Sequence, residues 1–311
     1  LSNDPTCALD PDMARDVNVA STLELARQAR EHGVGRFVLG SSCAVYGRGL
    51  FDVLDEQSPA NPVALLGQTK LEAEQGLLAL GGNGFEALVC RTATMFGWSP
   101  RMRFDLAINQ MVATAVTRGR IEVRGGGNQW RPFIHVADAA RAMASLLEAP
   151  ASDVTGAIFN VGWDHFNARV VDLAHQIARQ IGRVEVEVAK DDPDLRDFRV
   201  SFGKLAAAIG FTPQHDVAAG VAEVRDAMAR EGITEPFSER YFNVARYRAL
   251  RATPVDEGGE PIAAHFIPLA RPNFGPEEEA AVVEALRSGW ATSAPHINTF
   301  KPVVPTTAHA P

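Results

Sequence analysis

Two serine hydroxyls and a lysine are the side chains whose types and spacing most clearly permit chemistry. Ser41 and Ser42 directly follow an apolar run at residues 37–40, and Lys70 lies in the first turns of a predicted helix after Pro62. A lysine ammonium stabilises a nearby anion, and a serine hydroxyl hydrogen-bonds to a reacting oxygen. Taken one at a time, the serines fit a strand-end cap and the lysine fits a solvated helix charge. Their combination at this spacing instead favours an active site.

The surrounding residues resemble the active-site strand and helix of a known family. Residues 36–47 read RFVLGSSCAVYG, and residues 61–70 read NPVALLGQTK. This pattern is similar to that of the extended short-chain dehydrogenase/reductases, the NAD-dependent epimerase/dehydratase family. The resemblance implies that Ser42 is the strand-end hydroxyl and that Lys70 is the lysine of a Tyr-x-x-x-Lys motif. Leu66 occupies the position of the tyrosine in that motif.

The missing tyrosine is the main departure from the family pattern. In the epimerases that the chain resembles, the phenol removes a proton from the sugar 4-hydroxyl while a hydride leaves for NAD. A free phenol has a pKa of roughly 10, and the lysine cation and the oxidised nicotinamide stabilise the phenolate. Leu66 has no ionisable group. We therefore expect catalytic positions at Ser42, Lys70 and Leu66, in a chain that is inactive as written.

The two residues after Ser42 discriminate between reactions within the family. Sugar-nucleotide 4,6-dehydratases have an Asp-Glu pair there, because loss of water needs a second acid and base. This chain has Cys43 and Ala44, so the resemblance disfavours dehydration and favours epimerase or reductase chemistry. We expect that Cys43 is not a nucleophile, because no histidine nearby in sequence activates it. We expect Tyr46 to pack in the turn and not to replace the missing phenol.

The cofactor implied by the resemblance is NAD, with contacts from Ser41, Lys70, Ala93 and Thr94. A dinucleotide-binding fold needs a glycine-rich turn after its first strand, where the backbone approaches the pyrophosphate. No G-x-G-x-x-G or G-x-x-G-x-x-G pattern occurs in the sequence. In the family, a segment like residues 2–5 lies just after the fourth strand. We therefore expect a chain that begins within the domain, lacks the glycine-rich half and does not bind NAD tightly.

Three arginines are candidates for binding the diphosphate of a nucleotide sugar. Arg131 begins the run RPFIHVAD, which resembles the family motif whose arginine contacts that diphosphate. A planar guanidinium binds phosphate oxygens in a bidentate way. Arg103 follows a loop that lies beside the sugar in the family, and Arg196 lies in a segment similar to the later substrate loop. The alternatives are a solvated Arg103 and an acid-paired Arg196. We expect His135 to be structural, and we expect no metal site.

Helices and strands alternate along the chain, which predicts the fold class. Apolar strands without polar alternation indicate a parallel sheet covered on both faces. The order is typical of a doubly wound α/β fold, here a partial Rossmann-like sheet with a small α/β substrate-binding region. We predict helices from residue 11 to Gly33 and at 71–80, 105–117, 138–148, 170–181, 201–209 and 217–230, and strands at 37–39, 86–90, 121–123, 157–161 and 184–188.

The sequence predicts four segments. A truncated Rossmann-like, NAD(P)-binding and catalytic region covers residues 1–160, and a substrate-binding region with closing helices covers residues 161–231. Residues 232–265 are loop-rich and predict a linker. Residues 266–311 resemble the start of a sugar aminotransferase of the pyridoxal-phosphate type, but they contain no lysine in a suitable context for a Schiff base. We interpret that last segment as a partly disordered remnant without transamination activity.

Composition and charge exclude several classes of function. The chain has 311 residues and a net charge of −8, which gives no reason to expect nucleic acid or an anionic membrane as a partner. No apolar run reaches about 18 residues, and no signal peptide is visible at the start. Three cysteines lie far apart and fit neither a metal site nor a disulfide framework, which favours a reducing cytoplasm.

The expected function is NAD-dependent epimerisation of a nucleotide-diphosphate sugar, most similar to that of UDP-glucose 4-epimerase. The resemblance also implies a homodimer when the protein is full length. A competing interpretation is a non-catalytic protein that retains a nucleotide-sugar pocket or a subunit interface. A third is a fragment that does not fold stably, because its sheet has an open edge. The absent glycine-rich turn and Leu66 both favour a non-catalytic chain as written.

Overall fold

The computed structural model describes residues 1–189 and 196–251, in which helices and strands alternate as the sequence predicts. None of the described helices is both long and apolar enough to cross a lipid bilayer. In chain order the elements are α1 (Asp4–Leu9), α2 (Pro11–Arg15), α3 (Ser21–Glu31), β1 (Arg36–Ser42), α4 (Leu65–Leu80), β2 (Glu86–Thr92), β3 (Thr94–Phe96), α5 (Ala107–Arg118), β4 (Arg120–Val123), β5 (Trp130–His135), α6 (Val136–Glu148), α7 (Ala151–Val154), β6 (Ile158–Val161), β7 (Asn167–Arg169), α8 (Val170–Ile181), β8 (Glu185–Val188), α9 (Gly203–Ile209), α10 (Val217–Arg230) and α11 (Asn243–Arg251).

The central sheet contains three parallel strands in the order β1-β2-β6. The middle strand β2 is buried along nearly its whole length. Consecutive side chains of a strand point to opposite faces. Ala87 and Val89 therefore pack on α3 and α4, whereas Leu88 and Cys90 pack on the other side against α6. This arrangement confirms the predicted α/β fold with a parallel sheet covered on both faces.

A second apolar core lies around the remaining strands. β3 pairs with β5 in parallel, β7 pairs with β5 in antiparallel fashion, and β4 pairs with β8 in parallel. This core combines α5 and β4 with α8 and α10. Residues 96–133 thus pack with residues 170–242, because the chain leaves the central sheet after β2 and returns to it at β6. We propose that residues 1–160 and 161–231 form the two predicted regions. Part of the first region also contributes to the second core.

Helix α4 begins at Leu65, so it includes Lys70, as the sequence indicates, and extends before the predicted range 71–80. A glycine in its first turn explains where it lies. A Cβ atom added at Gly67 would lie 2.6 Å from the Ala44 carbonyl oxygen, closer than such atoms approach. Only glycine therefore lets α4 pack this closely on the turn after β1. The close packing places the first turns of α4, including Lys70, at the carboxyl end of β1.

The predicted linker contains a helix that packs on the start of the chain. Tyr247 of α11 is buried, and its hydroxyl donates to Asp10 Oδ2 at 2.8 Å. Asn243 is also buried, and its Nδ2 donates to Ser2 Oγ at 3.2 Å. Tertiary contacts therefore stabilise a polar helix within the segment that the sequence predicts to be loop-rich. Residues 252–311, which include the aminotransferase-like segment, lie outside the described residues.

Candidate active site

The carboxyl end of β1 and the first turns of α4 bring two predicted catalytic residues together. Ser42 is the last residue of β1, and its Oγ accepts a hydrogen bond from the Ala44 amide at 3.1 Å. Lys70 donates from its ammonium to the Gly40 carbonyl at 2.8 Å. Gly40 lies two residues before Ser42 on the same strand, so the hydroxyl and the ammonium occupy one strand end.

The environment of Lys70 is only partly polar. The side chain is half-buried. Burial lowers the pKa of Lys70, while the nearby Cys7 thiol and Glu74 carboxylate act in the opposite direction. An ammonium in such a place stabilises an anion that forms beside it more strongly than a solvated lysine does.

Leu66 lies one helical turn before Lys70, at the position where the family has its tyrosine. Its side chain is only 7% exposed and packs against Cys7 and Ala14 near the start of the chain. Position 66 therefore carries a buried apolar side chain one helical turn before the lysine. No group at this position accepts a proton.

Asn18 is a buried polar residue that the sequence analysis did not single out. It lies in a π-helical turn, Asp16–Ala20, between α2 and α3. Its Nδ2 donates to Thr69 Oγ1 at 3.1 Å, and Thr69 directly precedes Lys70. Asn18 therefore fixes the part of α4 that presents the lysine. In the sequence, the only indication of Asn18 is an asparagine within a predicted helix, where it is not favoured. The π-helical turn itself is a feature that is frequent at functional sites.

A buried ion pair connects α4 to the central sheet beside these residues. Arg91 of β2 donates to the Glu74 carboxylate, with Nη2 at 2.7 Å and Nε at 3.1 Å from Oε2. The two side chains are 5% and 1% exposed. Ser41 donates its hydroxyl proton to the same carboxylate. Ser41, which the resemblance assigned to cofactor binding, thus directs its hydroxyl into the protein.

Tyr46 is part of the same buried network and does not replace the missing phenol. Its hydroxyl lies 2.8 Å from both the Asp55 carbonyl and Asn160 Oδ1, and it accepts a hydrogen bond from Arg91 at 3.1 Å. Burial raises the pKa of Tyr46 well above its ordinary value. These contacts confirm the predicted packing role.

The described residues do not fit the pyrophosphate of NAD. The glycine-rich turns in the described ranges lie elsewhere, since residues 81–84 connect α4 to β2 and residues 125–127 connect β4 to β5. Neither turn leads from a strand into a long helix, which is the geometry that binds pyrophosphate. Ala93 is buried with its amide bonded to the Val161 carbonyl, and Thr94 begins β3. We therefore assign no hydride step to these residues.

Arg131 and Arg196 lie side by side at one end of β5. Arg131 is buried, and its Nη1 donates to the Trp130 carbonyl at 2.8 Å and to the Arg196 carbonyl. Its guanidinium also lies 5.6 Å from the centroid of the Phe198 ring, a cation–π distance. The structure thus places the Arg131 guanidinium against the backbone of Arg196, another of the three arginines predicted to contact a diphosphate.

Acidic side chains pair with two of the predicted phosphate-binding arginines. Arg196 Nη1 lies 2.6 Å from Asp4 Oδ2. Arg103 forms a two-point contact with Asp105 at 2.9 and 3.0 Å, and its Nη1 donates to Ser2 at 3.1 Å. Arg196 is therefore paired with an acid that is distant in sequence, and Arg103 is paired and not solvated.

His135 is structural, as predicted. It is buried, its Nε2 lies 2.7 Å from Glu223 Oε2, and its Nδ1 accepts from the Ala137 amide at 3.3 Å. Its ring stacks on His215 at 4.3 Å between centroids and 18° between planes. His135, Asp138 and His215 are the one possible metal-ligand group in the described part of the chain. Because the rings are stacked, no ion lies in the plane of both, and the group does not suit a metal.

Curated proteins of two named activities are similar to this chain. An uncharacterized UDP-glucose epimerase, YtcB of Bacillus subtilis, is 27% identical over 146 residues, which is 47% of this chain and 45% of YtcB. A dTDP-glucose 4,6-dehydratase of Streptomyces niveus is 28% identical over 213 residues, or 66% of this chain and 61% of that protein. The chain therefore spans about half to three fifths of the length of these relatives.

The solved structures and the family model agree with the sequence relatives. MoeE5 in complex with UDP-glucose and NAD matches with a TM-score of 0.59 and 27% identity, covering 69% of this chain and 71% of MoeE5. The model described as "NAD dependent epimerase/dehydratase family" matches residues 1–162, just over half of the chain. The strand-end serine and the helix lysine thus lie within the matched residues, and the chain belongs to the NAD dependent epimerase/dehydratase family.

Proposed function

We propose that this chain provides the nucleotide-sugar side of an NAD-dependent epimerase of the UDP-glucose 4-epimerase type and is catalytically silent as written. The observation that carries the proposal is the contact in which Arg131 Nη1 donates to the backbone carbonyl of Arg196. Each guanidinium group offers several donors, which suit the oxygens of a diphosphate. The relatives that bear epimerase and dehydratase names support a nucleotide sugar as the ligand class.

Of the groups that epimerisation needs, the end of β1 and the start of α4 provide a hydroxyl and a cation but no base. Ser42 presents a hydroxyl that can hydrogen-bond to the sugar 4-oxygen, and Lys70 supplies a cation that stabilises an oxyanion. Removal of the hydroxyl proton needs a base at position 66, and Leu66 has none. The site therefore retains positioning and electrostatic groups without its proton acceptor.

Epimerisation is favoured over dehydration by the residues that follow Ser42. Cys43 is buried, and its Sγ donates to the Arg91 carbonyl at 3.2 Å. Burial raises the pKa of the Cys43 thiol well above its ordinary value. Ala44 has no functional group. Neither residue supplies the second acid or base that loss of water needs.

A second candidate is a non-catalytic protein that only binds the nucleotide sugar or a second subunit. The burial of Leu66 against Cys7 and Ala14 favours it, because an apolar contact here has replaced the catalytic group. In either case we propose a homodimer for the full-length protein. Three free, buried cysteines are compatible with the proposed cytoplasmic location.

Replacing Arg131 with alanine is expected to weaken UDP-glucose binding about tenfold to a hundredfold. The reason is the loss of charge-assisted hydrogen bonds, each worth about 1.5–3 kcal/mol. Titration calorimetry on the folded chain measures the change. Arg169→Ala is the matched control, since Arg169 contacts the Trp130 ring from the adjacent strand β7. Equal affinity of the Arg131→Ala and unchanged chains would show that Arg131 does not bind the diphosphate.

A further inference from the structure

Asp4 occupies one of the two guanidinium groups assigned to the diphosphate. Its Oδ2 lies 2.6 Å from Arg196 Nη1, although the two residues are 192 positions apart in sequence. The Asp4 side chain is 19% exposed and that of Arg196 is 36% exposed. This contact is partly shielded from water, so salt screens it less than it screens a surface pair.

The segment that holds Asp4 is itself fixed. Asn3 Oδ1 accepts from the Thr6 amide at 3.0 Å, and Asn3 Nδ2 donates to Asp105 Oδ2 at 2.9 Å. Asp105 in turn is held by Arg103 at 2.9 and 3.0 Å. Asp4 is therefore presented to Arg196 by an anchored turn and is not a freely rotating surface acid.

We propose that Asp4 is a competing carboxylate that a diphosphate must displace from Arg196, so that it lowers the affinity of the site for diphosphates. The proposal rests on the proposed function. Carboxylate and phosphate oxygens accept from the same guanidinium donors. A diphosphate brings more negative charge and more acceptor oxygens than one carboxylate, whereas an uncharged nucleoside cannot exchange with Asp4. Asp4 thereby lowers the affinity for diphosphates and leaves the affinity for uncharged nucleosides unchanged.

Removing the charge of Asp4 tests this role directly. Asp4→Asn is expected to bind UDP about tenfold more tightly than the unchanged chain, equivalent to about 1.4 kcal/mol, because the carboxylate that competes for Arg196 is lost. Uridine binding should not change. Titration calorimetry with UDP and uridine on the full chain gives both values. Asp226→Asn is the matched control, because Asp226 forms an exposed pair with Arg225 at 2.8 Å and the net charge changes equally.

A second variant separates competition from a general effect on folding. In an Arg196→Ala background, Asp4→Asn should give no gain in UDP affinity, since the contested guanidinium is gone. A similar gain in both backgrounds, or no gain in either, overturns the role of Asp4. If Arg131→Ala still weakens UDP binding in that case, the proposed function stands without it. If no variant binds UDP, the proposed function and this inference both fail.

Discussion

Replacing Leu66 with tyrosine is expected to raise C4 epimerisation of UDP-glucose by about 10²–10⁴, the usual contribution of general acid–base catalysis. The new phenol would lie one helical turn before Lys70, whose ammonium stabilises the phenolate. Ser42 would hydrogen-bond to the same sugar oxygen. The assay follows UDP-glucose and UDP-galactose with NAD present, in a chain joined to the glycine-rich segment of a relative.

Leu66→Phe is the matched control for this experiment. It introduces the same ring without the hydroxyl, so it reports any effect of packing against Cys7 and Ala14. The phenylalanine variant should remain as silent as the unchanged chain. Equal activity of the leucine and tyrosine forms would mean that another residue is the base. Silence of both would favour the non-catalytic interpretation.

Replacing Glu74 with alanine is expected to lower the free energy of unfolding by about 3–5 kcal/mol, because Arg91 is left as an uncompensated buried charge. The change also removes the acceptor of the Ser41 hydroxyl. Urea denaturation followed by circular dichroism measures the loss. Glu187→Ala is the control, since its pair with Arg120 is half-exposed at 3.6 Å and should contribute far less. A loss at Glu74 no larger than that at Glu187 would contradict the structural role of the pair.

The observed helices and strands agree best with the predicted ones where the local pattern of apolar residues determines which side chains are buried. The nearly unbroken apolar run of β2 predicts a buried parallel strand, and the spacing of α8 predicts its bounds, 170–181, as they are found. Ser42, Leu66 and Lys70 could be predicted from the sequence because the residues of their motif lie close together in the chain. The exact start of α4 could not be predicted, because it depends on the close approach of Gly67 to Ala44, which is a tertiary contact.

The missed features depend on partners that are distant in sequence. A glutamate and an arginine in sequence predict exposed charges, yet Glu74 and Arg91 are buried because each compensates the other. The pairing of Arg196 with Asp4 joins residues that are 192 positions apart in sequence. The role of Asn18 could not be predicted from its neighbours in sequence, since its partner Thr69 lies 51 positions away. These contacts require the fold to be known first.

The most direct test of the account is a calorimetric titration of the unchanged chain with UDP-glucose and, separately, with NAD. We propose that a diphosphate sugar binds at Arg131 and Arg196, which are in contact, whereas neither glycine-rich turn in the described ranges suits a dinucleotide pyrophosphate. The account predicts saturable heat with UDP-glucose and no saturable heat with NAD. Micromolar binding of NAD together with no binding of UDP-glucose would contradict it.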